Sequence, residues 1–182
     1  MAQTSTVHSI ELELADVDRG AYATVAFKAA RHPSETADFF ATRLLAFALE
    51  YAEGIAFSKG GISDLDEPAI VVRDLTGALT AWIEIGTPDA NRLHKAAKAV
   101  RRVAVYPHKD PGPFLASLAD VRIHRADEIE LVTIDRPLVE GLAARLDRRM
   151  SVTLSVTEGQ AYLTVNGAHL EGAVTRRPLV AL

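Results

Sequence analysis

The sequence predicts an α/β (α+β) fold, a mixed central sheet of parallel and antiparallel strands flanked by helices, with a β-rich part built from the N- and C-terminal hairpins. Three observations carry this. Strands and helices alternate through the middle of the chain, and both ends read as antiparallel strands with turns between them. No internal repeat, low-complexity tract or Pro/Ser linker interrupts the 182 residues. A single domain over 1–182 is expected, its terminal strands, about 5–29 and 151–175, able to pack as a subdomain.

Each element has a local reason. Ile10, Leu12 and Leu14 alternate with Glu11 and Glu13, the period of a half-buried strand. Asp18-Arg19-Gly20 punctuates it, and Tyr22 to Lys28 returns as its hairpin partner. Ser34 is the expected N-cap of a helix with Glu35 in its first turn, and Phe39, Phe40, Leu44, Phe47 and Tyr51 follow at helical spacing until Gly54. Lys59 to Pro68 reads as a Gly- and Asp-rich loop. Strands are expected at Ala69–Val72 and Leu79–Ile85, joined by the turn Asp74-Leu75-Thr76-Gly77. Thr87 then caps a helix with Pro88 at its first position, running to about Val100. The short apolar run Val103–Tyr106 suits a buried strand parallel to its predecessor. A short helix near Phe114–Ala119, strands near Val121–His124 and Glu130–Ile134, and a helix over Pro137–Arg148 come next. Strands Val152–Val156, Ala161–Val165 and Ala168–Val174 close the chain, with turns at Glu158-Gly159 and Asn166-Gly167. The edges of the terminal hairpins either pair between subunits or close on each other.

Composition narrows the function. The chain is 48% hydrophobic and 24% charged, and it has no cysteine. That excludes disulfides, thiolate zinc sites, iron–sulfur clusters and cysteine nucleophiles. No apolar run approaches the roughly 18 residues of a membrane span, and Met1 to Val7 lacks a basic-then-apolar leader, so a cytoplasmic protein without a membrane partner is expected. The net charge of −4 is uneven. From Pro88 to Lys109 six basic residues (Arg92, Lys95, Lys98, Arg101, Arg102, Lys109) stand against Asp89, a +5 segment that leaves −9 for the remainder. A solvated helix face accounts for that segment as it stands.

Familiar catalytic signatures are absent. There is no G-x-S-x-G elbow and no dinucleotide fingerprint, and Ser58-Lys59-Gly60-Gly61 lacks the spacing of a phosphate loop. The six histidines (His8, His32, His94, His108, His124, His169) never stand three or four apart, which argues against a histidine metal cluster. Carboxylates remain. Glu84 is a charge inside the apolar run Trp82-Ile83-Glu84-Ile85-Gly86, costly there unless paired, hydrogen-bonded or bound to a metal. A hairpin turning at 74–77 brings Asp66 back towards it. Two converging carboxylates hold a hard cation such as Mg²⁺, and Glu35 can add a third oxygen. The plain alternative is a strand-edge solubility device for the first two and an N-cap partner for Glu35. Arg92, Lys95 and Lys98 on the following helix would offer cations to a metal-bound phosphate, or else form a surface helix.

The segments Arg31-His32-Pro33-Ser34-Glu35-Thr36, Arg43 to Leu49, Lys59-Gly60, Asp66-Glu67-Pro68, Trp82 to Gly86 and Arg92 to Ala96 closely resemble the YaeQ family of bacterial proteins, along nearly the whole chain. The resemblance implies a variant of the PD-(D/E)XK, restriction-endonuclease-like superfamily, with a helix–three-strand–helix–strand core over about 33–107. By position, Asp66 matches the first acid of the motif, Glu84 the second, and Glu35 the helix glutamate that many members add. The usual lysine two residues after the second acid is replaced by Gly86. Lys95 is the first candidate to stand in for it and Lys59 the second. The D-E-P order also lets Glu67 compete with Asp66.

The function so implied is a Mg²⁺- or Mn²⁺-dependent phosphodiesterase or nuclease without an organic cofactor. Asp66 and Glu84 would hold metal, Glu35 a ligand or water, Lys95 would stabilise charge or orient the attacking water, and Lys59 and Arg92 would bind substrate. The alternative is a nucleic-acid- or protein-binding module without turnover, linked to transcription.

Overall fold

The computed structural model describes residues 4–59 and 66–180. In chain order its elements are β1 (Thr6–Asp16), β2 (Ala21–Arg31), α1 (Ala37–Leu49), β3 (Ile55–Phe57), β4 (Ile70–Arg73), β5 (Leu79–Ile85), α2 (Ala90–Ala99), β6 (Arg102–Tyr106), α3 (Gly112–Leu118), β7 (Glu130–Ile134), α4 (Arg136–Ala143), β8 (Arg149–Thr157), β9 (Gln160–Val165) and β10 (Ala168–Pro178). The fold is mixed α/β, with parallel and antiparallel pairs in its sheet. The chain forms two compact units, Met1–Tyr51 with Ile134–Val174, and Ala52–Thr133 with Thr175–Leu182. No helix among the described residues is long and apolar enough to cross a membrane.

In the first unit β1 and β2 pair antiparallel along their whole length, Thr6 opposite Arg31 and Asp16 opposite Ala21. On its other side β1 pairs in parallel with β8, from Ser9 opposite Arg149 to Asp16 opposite Val156. The terminal hairpins thus close on each other. Asp18 reinforces the join, accepting hydrogen bonds from the backbone N–H groups of Glu158 (2.7 Å) and Gly159 (2.8 Å). The turns Glu158-Gly159 and Asn166-Gly167 have positive φ at both residues, the hand that matches strand twist in a two-residue hairpin. Ile10, Leu12, Leu154 and Leu163 point inward, where Leu44 and Leu45 of α1 and Leu142 of α4 line the same small apolar cavity.

Two helix boundaries differ from expectation here. The N-cap of α1 is Thr36, whose hydroxyl accepts from the Phe39 N–H (3.1 Å), while the Ser34 hydroxyl lies 2.6 Å from His32 Nδ1. The Glu35 carboxylate is drawn to Arg43, so the helix starts beyond it. Helix α4 stops at Ala143 rather than Arg148. The chain must extend by Arg149 to pair with β1, and the Arg148 carbonyl already accepts from Ser9 N–H (2.8 Å).

In the second unit β3, β4 and β5 are antiparallel neighbours, while β6 runs parallel to β5 and β7 parallel to β6. Helices α2 and α3 pack on this sheet through Leu93, Ala97, Phe114 and Leu118, which meet Trp82, Val105 and Leu131. Strand β3 is a three-residue addition in a stretch without readable periodicity. The N-cap of α2 is Asp89, not Thr87, its carboxylate accepting from Arg92 N–H at 2.8 Å. Residues 121–124 form no strand. They are held on α2 instead: His124 N–H donates to His94 Nδ1 (3.2 Å), and the Arg125 guanidinium donates to the Ala97 and Val100 carbonyls at the end of that helix. Of the expected loop at 59–68, residues 60–65 lie outside the described residues.

Candidate functional site

Trp82 and Glu84 stand two apart on β5 and so share one face, the face that α2 covers. Glu84 is buried (4% exposed). Its Oε1 accepts from Trp82 Nε1 (2.6 Å) and from Arg92 Nε (2.5 Å). Arg92 is itself fixed on three sides. Its backbone N–H binds the capping Asp89, its Nη2 donates to the Glu67 carbonyl (2.7 Å), and its guanidinium lies 5.9 Å from the Trp82 ring centre. Burial pushes the Glu84 carboxyl above the usual glutamate range, while the Trp82 hydrogen bond and the Arg92 charge pull it back. Oε2 of Glu84 has no hydrogen-bonding partner among the described residues.

One turn further along α2, Lys95 Nζ lies 2.7 Å from Asp66 Oδ1. The hydrogen bond and charge of Lys95, with the charge of Arg92, hold the Asp66 carboxyl below its ordinary range. Both side chains are largely exposed, so the pair contributes little to stability. Glu67 contributes differently: its carboxylate pairs with Arg73 Nη2 (2.7 Å) while its carbonyl holds Arg92. Gly86, at the position of the missing lysine, has φ +95°, a conformation that strains any side chain. Its N–H donates to the Tyr106 carbonyl (2.8 Å). A lysine there would have to distort the end of β5.

The structure therefore brings together Glu84, Arg92, Lys95 and Asp66 along one side of α2. Lys59 is exposed, beside residues 60–65, and none of these bonds involves it. Glu35 belongs to the first unit. Its Oε2 accepts from His32 N–H (2.6 Å) and Arg43 Nη2 (3.0 Å), and its Oε1 lies 2.9 Å from Arg43 Nε. Arg31 donates to the Glu35 carbonyl, and Arg43 also holds the Ala30 carbonyl (2.7 Å). The segment Arg31–Thr36 is thus a clamp around a buried ion pair.

As a metal site the cluster has one well-suited donor. Glu84 Oε2 is an unbonded oxygen on an otherwise anchored carboxylate, the kind of hard ligand that a divalent cation takes. Asp66 is the second carboxylate at hand. No trio of histidine or acidic side chains stands close enough to hold a metal ion among the described residues. Three contributors were not expected from the sequence: the indole N–H of Trp82, the capping Asp89 and the Glu67 carbonyl. Only the first left a sign, since Trp82 and Glu84 stand two apart in a strand.

The YaeQ protein family model matches residues 1–174. Among known proteins, YaeQ of Escherichia coli K12 is 28% identical over 185 residues, covering 96% of this chain and 97% of that protein, and YaeQ of Salmonella typhi is also 28% identical. The crystal structure of YaeQ protein from Xanthomonas axonopodis pv. citri superposes with a TM-score of 0.86 at 31% identity, covering 96% of this chain and 98% of that one. That of YaeQ protein from Pseudomonas syringae gives 0.81 at 30% identity, covering 94% and 95%. With the Arg31–Thr36 clamp, Asp66-Glu67-Pro68 and the Trp82–Glu84 pair in place, the chain belongs to the YaeQ family.

Proposed function

We propose that the cluster around Glu84 is a Mg²⁺- or Mn²⁺-dependent phosphodiester-hydrolysing site of the PD-(D/E)XK type, acting on nucleic acid in the cytoplasm. The observation that carries this reading is the half-engaged Glu84 carboxylate, buried, anchored through Oε1 and unbonded at Oε2, beside Asp66 and two cations. The element order α1, β3, β4, β5, α2, β6 supports a restriction-endonuclease-like core, since it repeats the helix–three-strand–helix–strand order of that fold. Glu84 Oε2 and Asp66 would hold the metal, whose contribution is to polarise the phosphate and acidify a bound water. Arg92 orients Glu84 and favours its charged form against the effect of burial. Lys95, exposed and tethered only at the surface, releases Asp66 and turns to the phosphate or the attacking water. Lys59 and the cations of α2 would bind the substrate backbone, and Glu35 holds the segment that leads into α1 through its pair with Arg43.

Calorimetry with Mg²⁺ and Mn²⁺ tests the metal site: binding is expected for the native chain and lost in Glu84→Gln, which keeps an acceptor for Trp82. Degradation of DNA or RNA in either metal, abolished by Glu84→Gln and Lys95→Ala, tests turnover. Undiminished metal binding in Glu84→Gln would sink the reading.

A second reading has its own observation. Gly86 stands where the motif lysine belongs, and its positive φ would strain a lysine there. A chain that keeps the fold and binds nucleic acid without cutting it would show affinity that falls steeply with salt and no products in either metal.

A further inference from the structure

The outward face of β2, β1 and β8 in the first unit carries a separate cluster. The antiparallel register sets Lys28 opposite Ser9, and the parallel register sets Arg149 opposite the same Ser9. One row across the sheet therefore reads Lys28–Ser9–Arg149, two cations whose Cα atoms are about 10 Å apart with a hydroxyl between them. The next row reads Ala26–Glu11–Ser151. All six residues are exposed. They line a groove of about 570 Å³, within the range of small-molecule sites.

Opposite charges on neighbouring rows of a sheet are within diagonal reach and ordinarily pair. These do not. Among the described residues the Lys28 ammonium, the Arg149 guanidinium and the Glu11 carboxylate have no hydrogen-bonding or ion-pairing partner. Asn166 shapes one wall, its side chain accepting from Ser151 N–H (2.9 Å) and donating to the Arg149 carbonyl (3.3 Å). Ala26, opposite Glu11, contributes only a methyl group to the groove. Two cations and a hydroxyl suit a phosphate, and a carboxylate one row away suits the hydroxyls of a sugar, as it does in ribose recognition.

We propose that this groove binds a phosphorylated sugar, either a sugar phosphate or a nucleotide. The phosphate lies over Ser9 between Lys28 and Arg149, and sugar hydroxyls donate to Glu11 and meet Ser151. A bare phosphate would leave most of the groove empty and face Glu11. A nucleic-acid backbone following the strands would next meet Glu13, whose row, Thr24–Glu13–Thr153, has no cation.

Isothermal titration of the full chain with glucose 6-phosphate and with AMP separates the two sources, with glucose, adenosine and inorganic phosphate as controls. One of the phosphorylated ligands is expected to bind at least about tenfold more tightly than any control. Arg149→Gln and Lys28→Gln should each weaken it about tenfold or more, while Glu11→Gln weakens the phosphorylated sugar and does not weaken inorganic phosphate. Glu84→Gln should have no effect, which keeps this result independent of the reading of the second unit. The proposal is overturned if neither ligand binds up to about 10 mM, if binding survives Arg149→Gln, if it is lost in Glu84→Gln, or if inorganic phosphate binds as tightly as the sugar phosphates.

Discussion

Replacing Glu35 by glutamine removes one charge from the most enclosed ion pair in the described chain. The pair has one hydrogen bond, Arg43 Nη2 to Glu35 Oε2 at 3.0 Å, and an ionic contact of 2.9 Å between Nε and Oε1, joining side chains that are 6% and 1% exposed. Burial lowers the Arg43 pKa, and the charge and hydrogen bond of Glu35 oppose that shift. Glutamine keeps the volume and an acceptor for His32 N–H, so the perturbation is confined to the guanidinium left without its counter-charge. Removing one partner of a buried pair costs about 3–5 kcal/mol. Arg43 retains the Ala30 carbonyl and the face of Phe40, 5.0 Å away, which places the expected loss at the lower end, about 3 kcal/mol. At about 2–4 °C per kcal/mol for a chain of this size, the melting temperature should fall by about 6–12 °C. Thermal and urea denaturation followed by circular dichroism measure this directly. The double replacement Glu35→Gln/Arg43→Met removes both charges while keeping an acceptor for His32 N–H, and should cost less than the sum of its two single replacements. A loss below about 1 kcal/mol in Glu35→Gln, or a double variant costing the sum of its singles, would refute a structural role for the clamp.

Three further outcomes follow from the second unit. Because burial raises the Glu84 pKa in the folded chain, its proton stabilises the fold fully below the ordinary value of 4.5, and that contribution disappears as pH rises through the raised folded value. Urea midpoints across that window should decline with pH in the native chain more than in Glu84→Gln, and equal slopes would contradict the burial argument. Trp82 is the chain's single tryptophan and donates to Glu84, so its emission should titrate with a midpoint above 4.5 and lose that titration in Glu84→Gln. Gly54→Ala should cost at least about 2–3 kcal/mol in denaturation experiments, since φ is +85° and a Cβ there would stand 1.9 Å from the Arg73 carbonyl oxygen; a near-native midpoint would mean the turn shifts freely.

What was legible in the sequence was local and periodic. The alternation at Ile10–Leu14, the Asn166-Gly167 turn and the β4–β5 hairpin follow from neighbours a few residues apart, and each appears where it was expected. Helix boundaries were less legible because several residues compete for one role. Ser34, Glu35 and Thr36 all have cap-like side chains, and Arg43 decides between them by claiming Glu35 from eight residues away. Residues 121–124 have strand-like apolar alternation, yet side-chain bonds to α2 hold them off the sheet. The same limit applies to the site. Glu84 stood out as a charge in an apolar run, but its anchoring by Arg92 depends on how α2 returns over β5, which no local pattern encodes.

The parallel pairing of β1 with β8 also governs the order of assembly. Asp18 and the turn it caps are 140 residues apart, so on the ribosome the first hairpin emerges long before its partner exists. Most of the second unit, Ala52–Thr133, is contiguous and can be complete by then. An isolated two-stranded hairpin is marginal in water, and until β8 arrives β1 presents an unpaired edge along with β2. Long-range pairing of this kind slows folding and exposes aggregation-prone strands meanwhile. A chain ending after Ala143 therefore lacks the strand that seals its own first one, and should accumulate as aggregate even where the contiguous Ala52–Thr133 part of its second unit has formed.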